Sequence, residues 1–292
     1  MSTLSPLSLP RLALIAGPTA SGKSGRAMAL AARENGTIIN ADASQVYRDL
    51  RILTARPSAQ DEAAVPHLLY GYRDGARPCS AVEWAVDAAR AIADVVEAGR
   101  LPVLVGGTGL YIRTLVDGIA PVPEIDPDLR QAVRALAPGA AHAALMREDP
   151  AAAARLHPND TARSQRALEV VRATGRSLLT WREERSGGIG HAYKVETEVV
   201  DPPLADLYRH CDLRVEQMIA AGAINEVARL LDRGLPADVP VMKSIGVAPL
   251  ADYLAGHIML DAAISAVQQA TRNYAKRQRT WFRHQLKSGI RS

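Results

Sequence analysis

The 292-residue chain has two cysteines, Cys79 and Cys211, far apart and without metal-like or redox-like spacing. Both therefore read as reduced thiols in a cytosolic protein. No apolar run is long enough to span a bilayer, which excludes a membrane-spanning helix. The opening MSTLSPLSLP lacks the basic stretch of a signal peptide, so a cytoplasmic location is expected. Internal repeats are absent, as is low-complexity sequence beyond an alanine enrichment. Acidic residues also run out: none follows Asp261, whereas Arg272, Lys276, Arg277, Arg279, Arg283, Lys287 and Arg291 do. The net charge of +4 hides this local field.

What is present is ordinary globular composition, 48% hydrophobic and 23% charged. The length suits one large domain with an insertion, or two domains. Residues 12–16, 37–42 and 101–107 are short apolar strands, with a helix over 23–34 between the first two. Residues 80–98 carry helical spacing, with Val82, Ala85, Val86, Ala89, Ile92, Val95 and Val96 on one side. This alternation predicts an α/β fold, a P-loop-type parallel sheet flanked by helices. PVPEIDPD opens a proline-broken connector near Pro121, and helical text runs on to about 185. The expected divisions are a first part of the core over 1–120, a mostly helical insertion over 121–192, and a second part of the core over 193–292. That second part holds a strand over 193–200, one long helix or two over 201–234, and a last helix over 261–287.

GPTASGKSG, directly behind the first strand, fits G-x-x-x-x-G-K-[ST]. Its glycines let the backbone turn N–H groups toward an anion, and the following helix adds partial positive charge. Lys23 reaches outer phosphates and Ser24 can ligate Mg²⁺. An ATPase or small-molecule kinase is the first reading of such a loop. One feature resists it. Many P-loop enzymes hold their metal with an acid at the end of a buried strand, and here the strand over 101–105 ends in Gly106-Gly107-Thr108. Asp42 closes the second strand instead and should face the loop across the cleft. Two roles stand open for it: a base that takes a proton while a diphosphate leaves, or a cap or outer metal partner.

The basic close of the chain carries a signal of its own. Arg272, Lys276, Arg279 and Arg283 form one helical stripe, with Tyr274 and Trp281 on another face. Aromatics packed on the body would leave the basic side for phosphates; a merely solvated face is the alternative. Arg163 and Arg166 also share a face, and could pair with Asp160 and Glu169. RLHPND is a helix stop followed by a new cap, Asn159 or Asp160. His157 and His67 are expected to be structural.

GPTASGKS, NADASQVY, LVGGTGLY, RLHPND with RSQRALEV, SIGV and TRNYAKRQRTWFR occur in one order. This string resembles the tRNA dimethylallyltransferases, over roughly residues 11–285. The resemblance implies transfer of a dimethylallyl group from dimethylallyl diphosphate to N6 of the adenosine 3′-adjacent to the anticodon, with Mg²⁺. The partners would be a tRNA anticodon stem-loop and the diphosphate, and the chain a monomer. Asp42 would be the base, with Lys23 and Arg214 at the leaving diphosphate. Gly17, Pro18, Thr19, Ala20, Ser21, Gly22, Lys23 and Ser24 would form the diphosphate loop. Asp42, Ala43, Ser44 and Gln45 would meet the target adenine. Thr108 and Arg130 would touch the tRNA. So would the segments Ala162, Arg163, Ser164, Gln165 and Arg166; Lys243, Ser244, Ile245, Gly246, Val247 and Ala248; and Lys276, Arg277, Gln278, Arg279, Thr280, Trp281, Phe282 and Arg283.

The chain departs from the family pattern at Ala43, where a serine is usual, at Leu53 for glycine, at Arg56 for lysine and at Val247 for tyrosine. These changes bear on substrate preference and rate more than on reaction type. An enzyme that prenylates free adenine nucleotides is the alternative, but it should need neither the basic helix nor the insertion. The Gly-Gly ending argues against a kinase. A non-catalytic RNA-binding protein would have no reason to keep Lys23, Ser24 and Asp42 together.

Overall fold

The computed structural model describes residues 9–285; Lys287 and Arg291 of the basic close lie outside them. Asp117–Gly188 forms one compact unit, and the chain on either side of it forms the other. The insertion thus starts and ends four residues before the expected 121 and 192.

The larger unit begins with β1 (Arg11–Ala16), α1 (Lys23–Arg33), β2 (Gly36–Asn40), α2 (Ala59–Ala64), β3 (His67–Leu68), α3 (Ala81–Glu97), β4 (Leu101–Gly106) and α4 (Gly109–Asp117). The insertion holds α5 (Pro127–Arg134), α6 (Ala140–Glu148), α7 (Pro150–Ala153), α8 (Thr161–Thr174) and α9 (Leu178–Trp181). The larger unit resumes with β5 (Lys194–Val199), α10 (Leu204–Ala220), α11 (Ala223–Leu231), α12 (Val247–Leu254) and α13 (Leu260–Gln285).

Five parallel strands lie in the order β3-β2-β4-β1-β5. The three inner strands are almost wholly buried, whereas edge strand β5 is largely exposed. Strand periodicity sorts the core. Leu12, Leu14, Ile39 and Leu104 join one cluster with Trp84, Ile92, Val227 and Phe282. Ala13, Ile15, Ile38 and Val103 join another with Ala27 and Ala31 of α1. From β1 the chain crosses over β4 to reach β2, and after β4 it returns to the far side of β1. The crevice at the carboxyl ends of β1 and β4 is therefore the topological switch point, where open α/β sheets bind ligands.

The predicted inner face of α3 is rotated. Its buried residues are Trp84, Ala88, Ala91, Ile92 and Val95, while Val82 and Val86 are exposed. Trp84 decides the rotation: its indole stacks on Tyr111 at 4.5 Å and donates to the Asn40 carbonyl at 3.0 Å.

The insertion has its own core of Ile125, Val133, Leu145, Leu168 and Val170 among others. Asp160 is the N-cap of α8 and accepts the Arg163 N–H. Its ends meet through hydrogen bonds between the backbones of Ile119 and Ser186. Among the described residues no helix is long and apolar enough to cross a membrane, and Cys79 and Cys211 are free.

Candidate active site

The loop behind β1 is shaped by what its residues lack. A Cβ on Gly17 would lie 2.6 Å from the Val200 carbonyl oxygen. Gly22 stands at φ 90° as the N-cap of α1 and supplies no capping side chain, so the first-turn N–H groups stay open to an anion. Lys23 is the first helical residue, and its Nζ donates to the Pro18 carbonyl at 3.2 Å. Desolvation pulls its pKa down to about 8; the Asp42 carboxylate opposes that shift and the Arg214 charge adds to it. Arg214 is lowered too, again chiefly by burial. Its Nη1 donates to Thr19 Oγ1 at 3.4 Å. The buried Ser21 hydroxyl has no partner among the described residues.

Asp42 is held by its neighbours. Asn40, fully buried at the end of β2, accepts the Asp42 N–H at 2.8 Å and donates to the carbonyls of Asp42 and Leu69. Ser44 donates to Asp42 Oδ1 through both backbone and hydroxyl. The side chain that pairs with Asp42 is thus Ser44, one place beyond the usual family serine. Thr108, at the close of β4, accepts the Ala43 N–H at 2.9 Å, so its hydroxyl braces the Asp42 loop.

Thr19, Lys23, Ser24, Asp42 and Arg214 line one cavity of about 390 Å³, together with Leu53, Val215, Met218, Ile245 and Val267. Ala43, Ser44, Gln45, Lys243, Ser244, Tyr274 and Arg277 also line it. A charged group and an apolar tail are both accommodated there. A second cavity of about 300 Å³ shares Ser24, Gln45, Tyr70 and Arg214 with the first.

Other expected contacts are turned elsewhere. Gln278 and Phe282 of α13 are buried in the larger unit, which removes their side chains from any RNA-facing surface. Gly246 and Val247 are buried as well. Gly246 sits at φ 98°, and a Cβ on it would meet Leu53 Cδ1 at 2.8 Å; Leu53 fills the space that glycine leaves. The stripe on α13 is not free as expected: Arg272 pairs with Asp212, and Arg279 and Arg283 both pair with Asp201. Lys276, Arg277 and Thr280 are exposed, and Arg277 lies over the Tyr274 ring. Trp281 packs where a Cβ on Gly109 would be.

In the insertion, Ser164 is buried and Gln165 donates to the Arg134 carbonyl. Arg163 pairs with Asp160, and Arg166 with the buried Glu169, as the structural alternative anticipated. Ala162 is exposed and Arg130 half-buried. His67 Nδ1 bonds the Val65 carbonyl oxygen, and His157 Nδ1 accepts the Asn159 N–H, both local structural bonds.

Sequence reasoning gave no role to Asn40, though a polar residue ending a buried strand beside Asp42 was a visible signal. It also read Tyr274 as packed on the body, whereas Tyr274 lines the cavity. Burial pushes its hydroxyl pKa upward, and the Asp42 charge adds to that.

A family model described as IPP transferase matches residues 45–285, and one described as isopentenyl transferase matches residues 10–67. The tRNA dimethylallyltransferase of Sphingopyxis alaskensis is 58% identical over 275 residues, covering 94% of this chain and 90% of that protein. That of Zymomonas mobilis is 55% identical, with 93% and 87% covered. Among solved structures, a eukaryotic dimethylallyltransferase acting on tRNA superposes with a TM-score of 0.82 at 27% identity, covering 95% of this chain and 71% of that one. The tRNA isopentenylpyrophosphate transferase of Bacillus halodurans has a TM-score of 0.67 at 36% identity, with 94% and 87% covered. With relatives this similar over nearly its whole length, the chain belongs to the tRNA dimethylallyltransferase family of prenyltransferases.

Proposed function

We propose that the cavity binds dimethylallyl diphosphate and the adenosine 3′-adjacent to the anticodon in a tRNA anticodon stem-loop, and joins the dimethylallyl group to N6. The observation that carries this reading is the convergence of Thr19, Lys23, Ser24, Asp42 and Arg214 on one cavity. In the transfer, the bond from the allylic carbon to the diphosphate oxygen breaks and its electron pair leaves with the diphosphate. A bond forms from N6 to that carbon, and the N6 proton passes to Asp42. An aryl amine is a weak nucleophile, so a positioned base helps it. Lys23, Arg214 and the open N–H groups of α1 stabilise charge on the leaving group. The target base must leave its stack to enter a cavity, and anticodon-loop bases are already partly unpaired.

Mg²⁺ fits the donor set. Ser24 lines the cavity, and among the described residues no three His, Cys, Asp or Glu side chains cluster as a metal cage. Mg²⁺ commonly keeps its waters and binds substrate phosphates with few protein ligands. Ser24 and the diphosphate would hold it, and the ion would neutralise leaving-group charge. A monomer and a cytoplasmic location complete the proposal, the latter in keeping with two free thiols.

The test is one assay. The protein is incubated with Mg²⁺, dimethylallyl diphosphate and either unmodified tRNA or AMP, and digests are searched by mass spectrometry for prenylated adenosine. Product from tRNA alone is expected. Product from AMP alone would move the chain to the free-nucleotide class, and ATP hydrolysis without product would refute the reading of the loop.

A further inference from the structure

Gln278 was expected at the RNA and is instead 5% exposed inside the larger unit. Its side-chain amide is used at both ends. Oε1 accepts the Thr19 N–H at 2.7 Å, and Nε2 donates to the Gly107 carbonyl at 2.9 Å. Gly107 is what admits it: a Cβ there would lie 2.2 Å from Nε2. The next residue, Thr108, accepts the Ala43 N–H beside Asp42. A continuous link therefore runs from the phosphate loop through Gln278 and the end of β4 to the base loop.

The choice of residue follows from this geometry. A side-chain amide offers a donor and an acceptor side by side on one short planar end. Asparagine is one methylene shorter, glutamate loses the donor, and methionine loses both. Thr19 N–H belongs to the phosphate loop, and Gln278 engages it before any ligand arrives. That N–H is spent on Gln278, so what the bond aligns is the loop backbone, whose following N–H groups at the start of α1 stay open to an anion.

We propose that Gln278 is a positioning residue of the transfer reaction, which sets the phosphate loop and the Asp42 loop in register from α13. The inference rests on the functional reading above. Its experiment compares steady-state kinetics of the wild type, Gln278→Met, Gly107→Ala and the double variant, beside tRNA affinity by filter binding and thermal melts. In Gln278→Met the KM for dimethylallyl diphosphate should rise about tenfold, as expected when a buried N–H and carbonyl are orphaned. The Kd for tRNA should stay within about twofold. KM does not depend on how much enzyme is folded, so partial unfolding cannot imitate this split. Gly107→Ala should act in the same direction, and the double variant should be far less impaired than the product of the two losses.

Gln278→Glu provides a second variant should methionine prevent folding; its donor KM should rise at least as far, because a carboxylate oxygen would face the Gly107 carbonyl and its charge would oppose the diphosphate. Donor kinetics of either Gln278 variant equal to wild type would overturn the proposal. So would a tenfold loss of tRNA affinity at unchanged donor KM, or losses that simply multiply. A wild type without prenylated product defeats the functional reading and this inference with it. An active wild type beside an unimpaired variant defeats this inference alone.

Discussion

Ser44 gives both its backbone N–H and its hydroxyl to the same oxygen of Asp42, Oδ1, at 3.0 and 2.7 Å. Among the described residues no protein group donates to Oδ2, and Asp42 lines the cavity. One oxygen is thus held in place and the other remains available to a substrate proton.

That division of labour separates two variants. Asp42→Ala should lower kcat by about 10²–10⁴-fold, the range for loss of a positioned base, while tRNA affinity stays within about twofold. Ser44→Ala should cost about ten- to a hundredfold in kcat, the worth of one hydrogen bond to a charged group. Single-turnover rates with filter binding measure both. A collapse of tRNA affinity in Asp42→Ala would make Asp42 a binding residue.

Lys23 sets the alkaline limb. With its pKa held down to about 8 by desolvation, the free protein carries a cationic Lys23 below that pH and a neutral one above it. A diphosphate binds the cation, so kcat/KM for the donor should be level from neutrality to pH 8 and fall about tenfold per unit above it. Lys23→Met should lie lower throughout and lack that limb. A wild-type profile level to pH 9.5 would contradict the assignment.

The sheet was legible because its inner strands are continuous apolar runs, and the phosphate loop because its spacing has a mechanism. Other parts were not. β3 is two residues long, too short to carry any period. The acids that neutralise α13 lie far back in the chain, Asp201 before α10 and Asp212 within it, and only tertiary packing brings them there. The inward turn of Gln278 had a signal that was disguised. Val267, Thr271, Ala275, Gln278 and Phe282 form the buried stripe of α13 at spacings of four, four, three and four, but its two polar members made the stripe look like surface.

The ion pairs sort the cations of α13 by role. Lys276 and Arg277 are exposed, whereas the Arg279 side chain is 14% exposed and tied to Asp201. Lys276→Ala and Arg277→Ala should each weaken tRNA binding and reduce its dependence on log salt by slightly less than one. Arg279→Ala should instead lower the melting temperature, because it leaves the partly buried Asp201 with one cation fewer. Binding isotherms at several salt concentrations, with thermal melts, distinguish the two groups. Equal salt effects from all three would mean that the Asp201 pair opens to RNA.

Gly106 explains why the expected strand-end acid of a kinase is missing. A Cβ at this position would fall 2.1 Å from the Ala41 carbonyl oxygen and 2.2 Å from its carbonyl carbon. Those atoms are backbone and cannot swing aside as a side chain could. They are also fixed, since Ala41 N–H donates to the Val105 carbonyl at 2.7 Å and the Ala41 carbonyl accepts from Thr108. This close approach carries the chain from β2 straight to Asp42. No side chain fits at 106, an aspartate least of all, so the loss of the strand-end acid and the placement of Asp42 are one structural fact. Gly106→Ala must push the two loops apart. Overpacking a rigid site costs about 1–3 kcal/mol, which urea titration would measure. The surviving folded protein should also lose activity through a displaced Asp42, while a variant of wild-type stability and rate would show that the approach is not needed.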